Sequence, residues 1–132
     1  MAKPEEKKFE PIDVRRLFAE VGPNRAVYMI RKQAEEGDIV AACMFRDIMT
    51  RWAVESLHST EHEAYPMLGG IQSGDEIELA SKILDMMKKG FTRVEEIKLI
   101  EEFEAKWEKT LSEKWGKDVK LPRTVEELMK PK

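Results

Sequence analysis

The longest apolar segment of the chain is residues 39–52, with the sequence IVAACMFRDIMTRW. Apolar side chains recur in it at intervals of three and four residues, which is the spacing of one face of an α-helix. Gly37 and Asp38 precede it as the end of one helix and the start of the next. We therefore predict a helix from Asp38 to about Glu63 at the centre of the core. Its inward side chains are Ala41, Met44, Phe45, Ile48, Met49 and Trp52, and its outward side chains are Arg46, Thr50 and Arg51.

Helical periodicity continues on both sides of this segment. Gly22-Pro23 separates two helices upstream, because a glycine followed by a proline stops one helix before the next begins. Tyr65-Pro66 and Gly69-Gly70 interrupt the pattern downstream as a loop over residues 64–74. The further predicted helices occupy residues 11–21, 24–36, 75–89, 93–115 and 124–129. No segment shows the alternation of a β-strand, so the predicted fold class is all-α, a bundle of four to six helices.

The helices over residues 75–89 and 93–115 share a start signal, Ser73 with Glu76 in the first and Thr92 with Glu95 in the second. Each pair is a capping box, in which each residue hydrogen-bonds the backbone N–H of the other. Gly116 marks the end of the second of these helices. The predicted apolar stripe of this helix is Ile97, Ile100, Phe103, Trp107 and Leu111.

The length of 132 residues is that of one domain with a core of its own. Residues 1–10 carry charges and a proline but no apolar period, which predicts an extended N-terminal arm. The predicted organisation is therefore an arm over residues 1–10 and a helical domain over residues 11–132.

Several classes of protein are disfavoured by composition. A lone Cys43 within an apolar run excludes a disulfide framework and predicts a buried thiol. No segment approaches the ~20 apolar residues of a membrane span, and residues 1–8 lack the apolar centre of a signal peptide. We therefore expect a protein kept in a reducing interior. The abundance of Lys and Glu, with few Asn or Gln, is typical of thermophilic proteins.

Charge is distributed unevenly along the chain. The net charge is −3, yet six of the eight arginines lie in the first 51 residues, and later cations are mostly lysines interleaved with glutamates. Arginine matches the geometry of phosphate oxygens. Arg25, Tyr28 and Lys32 fall at i, i+3 and i+7 on one face of the second helix. Composition leaves two interpretations of the arginine-rich first 51 residues open: a surface that binds nucleic acid and a general interaction surface.

Glu55, His58 and His62 form the one group with metal-site character, at i, i+3 and i+7 of the third helix. A di-iron bundle requires a second Glu-x-x-His motif and a zinc site requires further ligands, and the sequence supplies neither. It also lacks a phosphate-binding glycine loop, a nucleophile elbow and a Cys-x-x-Cys pair. We predict no metal, no cofactor and no enzymatic activity.

Residues 22–28, Gly-Pro-Asn-Arg-Ala-Val-Tyr, resemble a segment of the major capsid proteins of rod-shaped and filamentous archaeal viruses, the rudiviruses, lipothrixviruses and tristromaviruses. Those proteins carry a Gly-Pro-Ser-Arg-Ala-Ile-Tyr-like segment at the start of a helix. The similarity continues more weakly through residues 40–52 and into the helix start at residues 75–77. It therefore covers residues 18–90 in the same order.

The resemblance implies a virion coat protein that pairs with copies of itself or with a paralogous coat protein. Such a protein wraps linear double-stranded DNA, held in the A form, into a helical nucleocapsid that is assembled in the host cytoplasm, with an envelope as a further outer partner. The arm and the first helices would face the phosphates. Arg25 and Tyr28 match the family motif itself. The other candidate contacts come from charge and helix face: Arg15, Arg16, Arg31, Lys32, Arg46 and Arg51, with Lys3, Lys7 and Lys8 in the arm.

The chain departs from the family pattern in its acidic net charge and in the charged helix over residues 93–115, beyond the matching region. Its arm also holds Glu5, Glu6 and Glu10 beside the lysines. These departures imply that a more basic paralogous partner shares the neutralisation of DNA. The rival hypothesis is a small helical interaction protein whose arginines pair with neighbouring glutamates.

Overall fold

A computed structural model of the protein describes residues 9–58 and 74–122, with side chains from residue 78 onward in the second range. These residues form five α-helices and no strand, which confirms the predicted all-α class. The helices are α1 (Val14–Val21), α2 (Pro23–Glu35), α3 (Ile39–Leu57), α4 (Gly74–Lys89) and α5 (Arg93–Trp115). Residues 1–8 of the predicted arm, the predicted loop as far as residue 73 and the predicted helix over residues 124–129 lie outside the described residues.

Helix starts and ends follow the capping residues found in the sequence. The Asp38 carboxylate accepts hydrogen bonds from the N–H groups of Val40 and Ala41, at 3.0 and 3.3 Å, and so starts α3. Both bonds of the predicted capping box at Thr92 are present at the start of α5. Gly116 ends α5 in the left-handed conformation, with φ of 71°.

Two helix boundaries differ from the prediction by more than one residue. α1 begins at Val14 rather than at residue 11, because the Asp13 carboxylate caps it by accepting a hydrogen bond from the Arg16 N–H at 3.2 Å. α3 ends at Leu57 rather than near residue 63, and His58 is its C-cap residue. The apolar pattern runs through the first boundary, from Ile12 to Val14, whereas Leu57 is followed by no apolar residue until Ala64.

α3 is the central helix and contacts α2, α4 and α5. Small, fully buried side chains on α2 and α3 let these two helices pack closely; they are Ala26, Ala34, Ala41 and Ala42. Cys43 is also fully buried, as predicted, and burial raises the pKa of its thiol. Because α3 has neighbours on three sides, its apolar residues are not confined to one face, as they are in a surface helix.

Aromatic side chains join α3 to α5. The ring centroid of Phe45 lies 4.6 Å from that of Trp107 and 6.5 Å from that of Phe103. The Trp107 Nε1–H donates a hydrogen bond to the Ala42 carbonyl at 3.0 Å, so this buried indole has a polar partner. The contacts fix α5 antiparallel to α3, because Trp107 lies beside the first half of α3 and Glu96 lies beside its end.

Residues 117–122 turn back along the end of α5. The Val119 N–H donates to Ser112 Oγ at 2.9 Å, and the Leu121 N–H donates to Glu108 Oε2 at 2.7 Å. Val119 is buried in the core by these contacts. Within the described ranges, no helix is long and apolar enough to cross a membrane.

Candidate nucleic-acid interface

The joint between α1 and α2 fixes the start of α2. Gly22 has φ of 84°, a conformation that a side chain would strain, and its N–H donates to the Phe18 carbonyl to close α1. Pro23 follows at the first position of α2, where its fixed φ suits a helix and its missing N–H costs nothing. Two packed helices therefore follow each other without a loop between them.

Arg25, Tyr28 and Lys32 lie along one side of α2, and we call these three residues the α2 cationic face. Arg25 and Lys32 are exposed and Tyr28 is half-buried. The two cations are seven residues apart, which is a rise of about 10 Å along the helix. Tyr28 lies between them along the helix and is half-buried. The helical spacing predicted from the sequence is therefore present.

The N-terminus of α2 adds to the positive potential beside Arg25. Gly22, the N-cap residue of α2, makes no side-chain cap hydrogen bond, and the first turn of α2 holds no acidic residue. The N-terminus of a helix carries a partial positive charge and attracts anions. Arg25, the third residue of α2, brings a full charge to the same end.

Most arginines in the described part of the chain have carboxylate partners. Arg16 Nε lies 2.8 Å from Glu20 Oε1, and Arg51 Nε lies 3.0 Å from Glu55 Oε1, both on the surface. Arg31 is largely covered and lies 3.4 Å from a carboxylate oxygen of Glu35. Each predicted phosphate contact at these three positions would compete with a carboxylate. Arg93, outside the predicted set, also has such a partner.

Arg15 and Arg25 are the exceptions among the seven described arginines. Neither they nor Lys32 form an ion pair with another described residue, and all three are exposed. No carboxylate among the described residues offsets their charges by a bond. The described cations of the predicted DNA-binding set therefore divide into two groups. One group has carboxylate partners, and the other, Arg15, Arg25 and Lys32, has none among the described residues.

Arg46 was predicted to point outward, and the structure shows that this was wrong. Its side chain is 4% exposed, and its guanidinium lies 2.9 Å from Asp47 Oδ1 and 3.7 Å from Glu104 Oε2. It also donates a hydrogen bond to the carbonyl of Pro122. Residues 117–122 and α5 cover this side of α3, so Arg46 joins the C-terminal end of the described chain to α3 rather than facing a partner.

The arm lysines Lys3, Lys7 and Lys8 lie outside the described residues. The last two residues of the predicted arm are described, and they contact the end of α2. The Glu10 carbonyl accepts a hydrogen bond from Gln33 Nε2 at 3.3 Å, and the Phe9 ring lies against Gly37. The arm therefore leaves the helical domain from a fixed point beside the C-terminal half of α2.

His58 belongs to an ion-pair cluster that the sequence analysis did not find. Its Nε2 lies 2.6 Å from Glu96 Oε1, and Arg93 Nη1 lies 2.6 Å from Glu96 Oε2. Burial raises the pKa of the Glu96 carboxyl, but the hydrogen bonds from Arg93 and His58 outweigh it, so the net pKa shift is downward. Among the described residues, no three side chains gather as a metal site. His62 lies outside them.

Comparison of the chain with protein-family models, with curated proteins and with solved structures finds no match.

Proposed function

We propose that this protein is a structural subunit that binds duplex DNA through phosphate contacts, without reading its sequence, and packs with further subunits into a helical nucleocapsid. The observation that carries this proposal is the α2 cationic face. Arg25 and Lys32 are exposed, they have no carboxylate partner among the described residues, and Tyr28 lies between them. Arg15 on α1 adds a third exposed cation of the same kind.

The chemistry of these groups suits a phosphate backbone. A guanidinium donates paired hydrogen bonds to phosphate oxygens, and release of counterions from DNA makes such contacts favourable at low salt. The partial positive charge at the N-terminus of α2 adds to the attraction for phosphate beside Arg25. A tyrosine ring between two cations can pack against a sugar. None of these groups forms a pattern that reads base edges, so the proposed binding is independent of sequence.

The resemblance to archaeal virus coat proteins supports the same proposal. The resembling segment, residues 22–28, is the joint and the first six residues of α2, and Arg25 and Tyr28 of the face belong to it. By this proposal the protein is part of a virion assembled in the host cytoplasm. The net charge of −3 implies that a more basic, paralogous coat protein shares the neutralisation of DNA.

Salt dependence tests the proposal. Fluorescence anisotropy of a labelled 30-base-pair duplex should give affinities that fall with salt, with a slope of about −2 to −3 in log K against log [salt] for two to three contacts per subunit. Two duplexes of unrelated sequence should give the same affinity. Electron microscopy at low salt should show regular filaments on linear DNA. A flat salt dependence, or a strong preference for one duplex, contradicts the proposal.

A helical interaction protein without a DNA role is the second candidate. The surface pairs Arg16–Glu20 and Arg51–Glu55 favour it, because they use arginine charge within the chain. Such exposed pairs stabilise a helix only weakly, by about 0.3–0.5 kcal/mol each, so they do not hold the arginines firmly away from DNA. Discrete particles that ignore DNA at every salt concentration would favour this candidate.

A further inference from the structure

The C-terminal turn of α5 packs against the C-terminal half of α2. The Trp115 Nε1–H donates a hydrogen bond to the Ala34 carbonyl at 2.9 Å, and Lys114 Nζ lies 3.6 Å from Glu35 Oε2. Glu35 comes three residues after Lys32, and side chains at that spacing are neighbours on the surface of a helix. Lys114 therefore lies next to the C-terminal end of the α2 cationic face.

Glu35 does not fully offset the charge of Lys114, because its carboxylate is shared. Glu35 Oε2 lies 3.4 Å from Arg31 Nη2 and 3.6 Å from Lys114 Nζ. Both distances are longer than the roughly 2.7–2.9 Å of a close charge-assisted hydrogen bond. Lys114 is 46% exposed, so a phosphate can reach its ammonium group from solvent.

Lys117 lies beside the same junction and contacts an aromatic ring. Its Nζ is 6.0 Å from the ring centroid of Trp115, at the outer limit of a cation–π contact. Such a ring attracts an ammonium group without carrying a negative charge, so it does not offset the charge of Lys117. Lys117 is exposed, and it forms no ion pair with another described residue. We call Lys114, Trp115 and Lys117 the α5 end cluster.

Positive charge exceeds negative charge around this junction, although the net charge of the chain is −3. Residues 25–36 hold three cations and two glutamates, and residues 114–118 hold two lysines and one aspartate. The two stretches together therefore have a net charge of +2. Each also places an aromatic ring near exposed cations, Tyr28 in the α2 cationic face and Trp115 in the α5 end cluster. The two surfaces offer the same chemistry to a phosphate backbone.

We infer that the α5 end cluster is part of the DNA-binding surface, and that the duplex which contacts Arg25 and Lys32 on α2 also places phosphates against Lys114 and Lys117. The inference rests on the proposed function and extends it to a helix outside the segment that resembles coat proteins. Two or three contacts from α1 and α2 give a salt slope of about −2 to −3, and two more from the α5 end cluster should make it about −4.

Fluorescence anisotropy of the labelled duplex with the full-length variant Lys114→Gln/Lys117→Gln tests the inference. We expect binding about tenfold weaker than that of the original chain at low salt, with a slope that returns to about −2 to −3. The variant Lys114→Arg/Lys117→Arg keeps both charges and should bind as the original chain does. The matched control Lys98→Gln/Lys109→Gln removes two exposed lysines elsewhere on α5 and should leave binding nearly unchanged.

A purely structural role of the two lysines gives a different result. Lysines at the C-terminal end of a helix offset the partial negative charge of that end, so urea denaturation of the same variants is measured beside DNA binding. A Lys114→Gln/Lys117→Gln variant that loses stability but keeps the DNA affinity and salt slope of the original chain overturns the inference.

Lysine acetylation of the original chain, with the duplex in excess so that subunits do not pack along it, separates the inference from the proposed function. We expect DNA to protect Lys32, Lys114 and Lys117 from acetylation and to leave Lys98 and Lys109 reactive. Protection of Lys32 without protection of Lys114 and Lys117 overturns the inference and leaves the proposed function standing. Protection of none of these lysines, together with no salt-dependent binding, contradicts both.

Discussion

Glu96 Oε1 lies 2.6 Å from His58 Nε2, so a carboxylate that is 1% exposed at the start of α5 is bonded to an imidazole that is 56% exposed at the end of α3. Arg93 bonds the other carboxylate oxygen from the solvent side. A buried carboxylate is costly unless its oxygens are paired, and here both are. The cluster therefore ties the end of the central helix to the first turn of α5.

The Glu96 cluster predicts a specific pH dependence of stability. The pKa of Glu96 is lowered in the folded protein, so its carboxylate contributes stability above the unfolded value of about 4.3 and loses that contribution as the pH falls through the folded value. Glu96→Gln should cost about 2 kcal/mol at pH 7, and the difference from the original chain should shrink below pH 4.

Urea denaturation at pH 7, 5 and 3.5 measures this difference. Glu101→Gln on the exposed side of α5 is the control and should have little effect at any of these pH values. A cost of Glu96→Gln that stays the same from pH 7 to pH 3.5 would show that the ionised carboxylate is not what stabilises the contact.

The burial of Arg46 predicts a structural role and no part in DNA binding. Arg46→Ala removes the partner of Asp47, of Glu104 and of the Pro122 carbonyl, and should cost about 3 kcal/mol of unfolding free energy. Arg51→Ala on the same helix removes only an exposed ion pair and should cost less than about 0.5 kcal/mol. Chemical denaturation measures both. Equal costs would contradict the buried placement of Arg46.

The capping box at the start of α5 predicts that the Thr92 hydroxyl contributes to the free energy of unfolding. Thr92→Ala removes the hydroxyl that accepts a hydrogen bond from the Glu95 N–H at 3.2 Å, and should cost about 1 kcal/mol. Thr92→Ser keeps the hydroxyl and should be close to neutral. Thermal or urea denaturation distinguishes these variants, and a Thr92→Ser variant as unstable as Thr92→Ala would argue against the cap.

Local interactions account for most of the agreement between sequence and fold. The predicted helix over residues 93–115 matches α5 because its cap residues lie within a few positions of the groups they bond. The ion pairs of Arg16, Arg31 and Arg51 are equally local, since each has a glutamate four residues later. The placement of the α2 cationic face on one side of the helix is local as well, because it depends only on the spacing of its residues along α2.

Where the structure differs from the sequence-based prediction, the cause is a contact between residues that are distant in the sequence. The sequence analysis placed Ile97 in the core, but it is 41% exposed, and Glu96 is buried in the same turn because His58 and Arg93 contact its two carboxylate oxygens. No apolar pattern marks a buried glutamate. Arg46 differs for the same reason, although it shares a helix face with buried Ala42 and Met49, which is the signal that could have shown its burial.

The affinity of duplex DNA for the triple variant Arg15→Glu/Arg25→Glu/Lys32→Glu tests the central claim most directly. The claim predicts binding at least about tenfold weaker than that of the original chain at low salt, with a shallower salt slope and unchanged helical content. The control Lys98→Glu/Lys109→Glu/Lys120→Glu makes the same charge change at exposed positions on α5 and after it, and should bind nearly as the original chain does. Equal affinity of the original chain and the triple variant would contradict the claim.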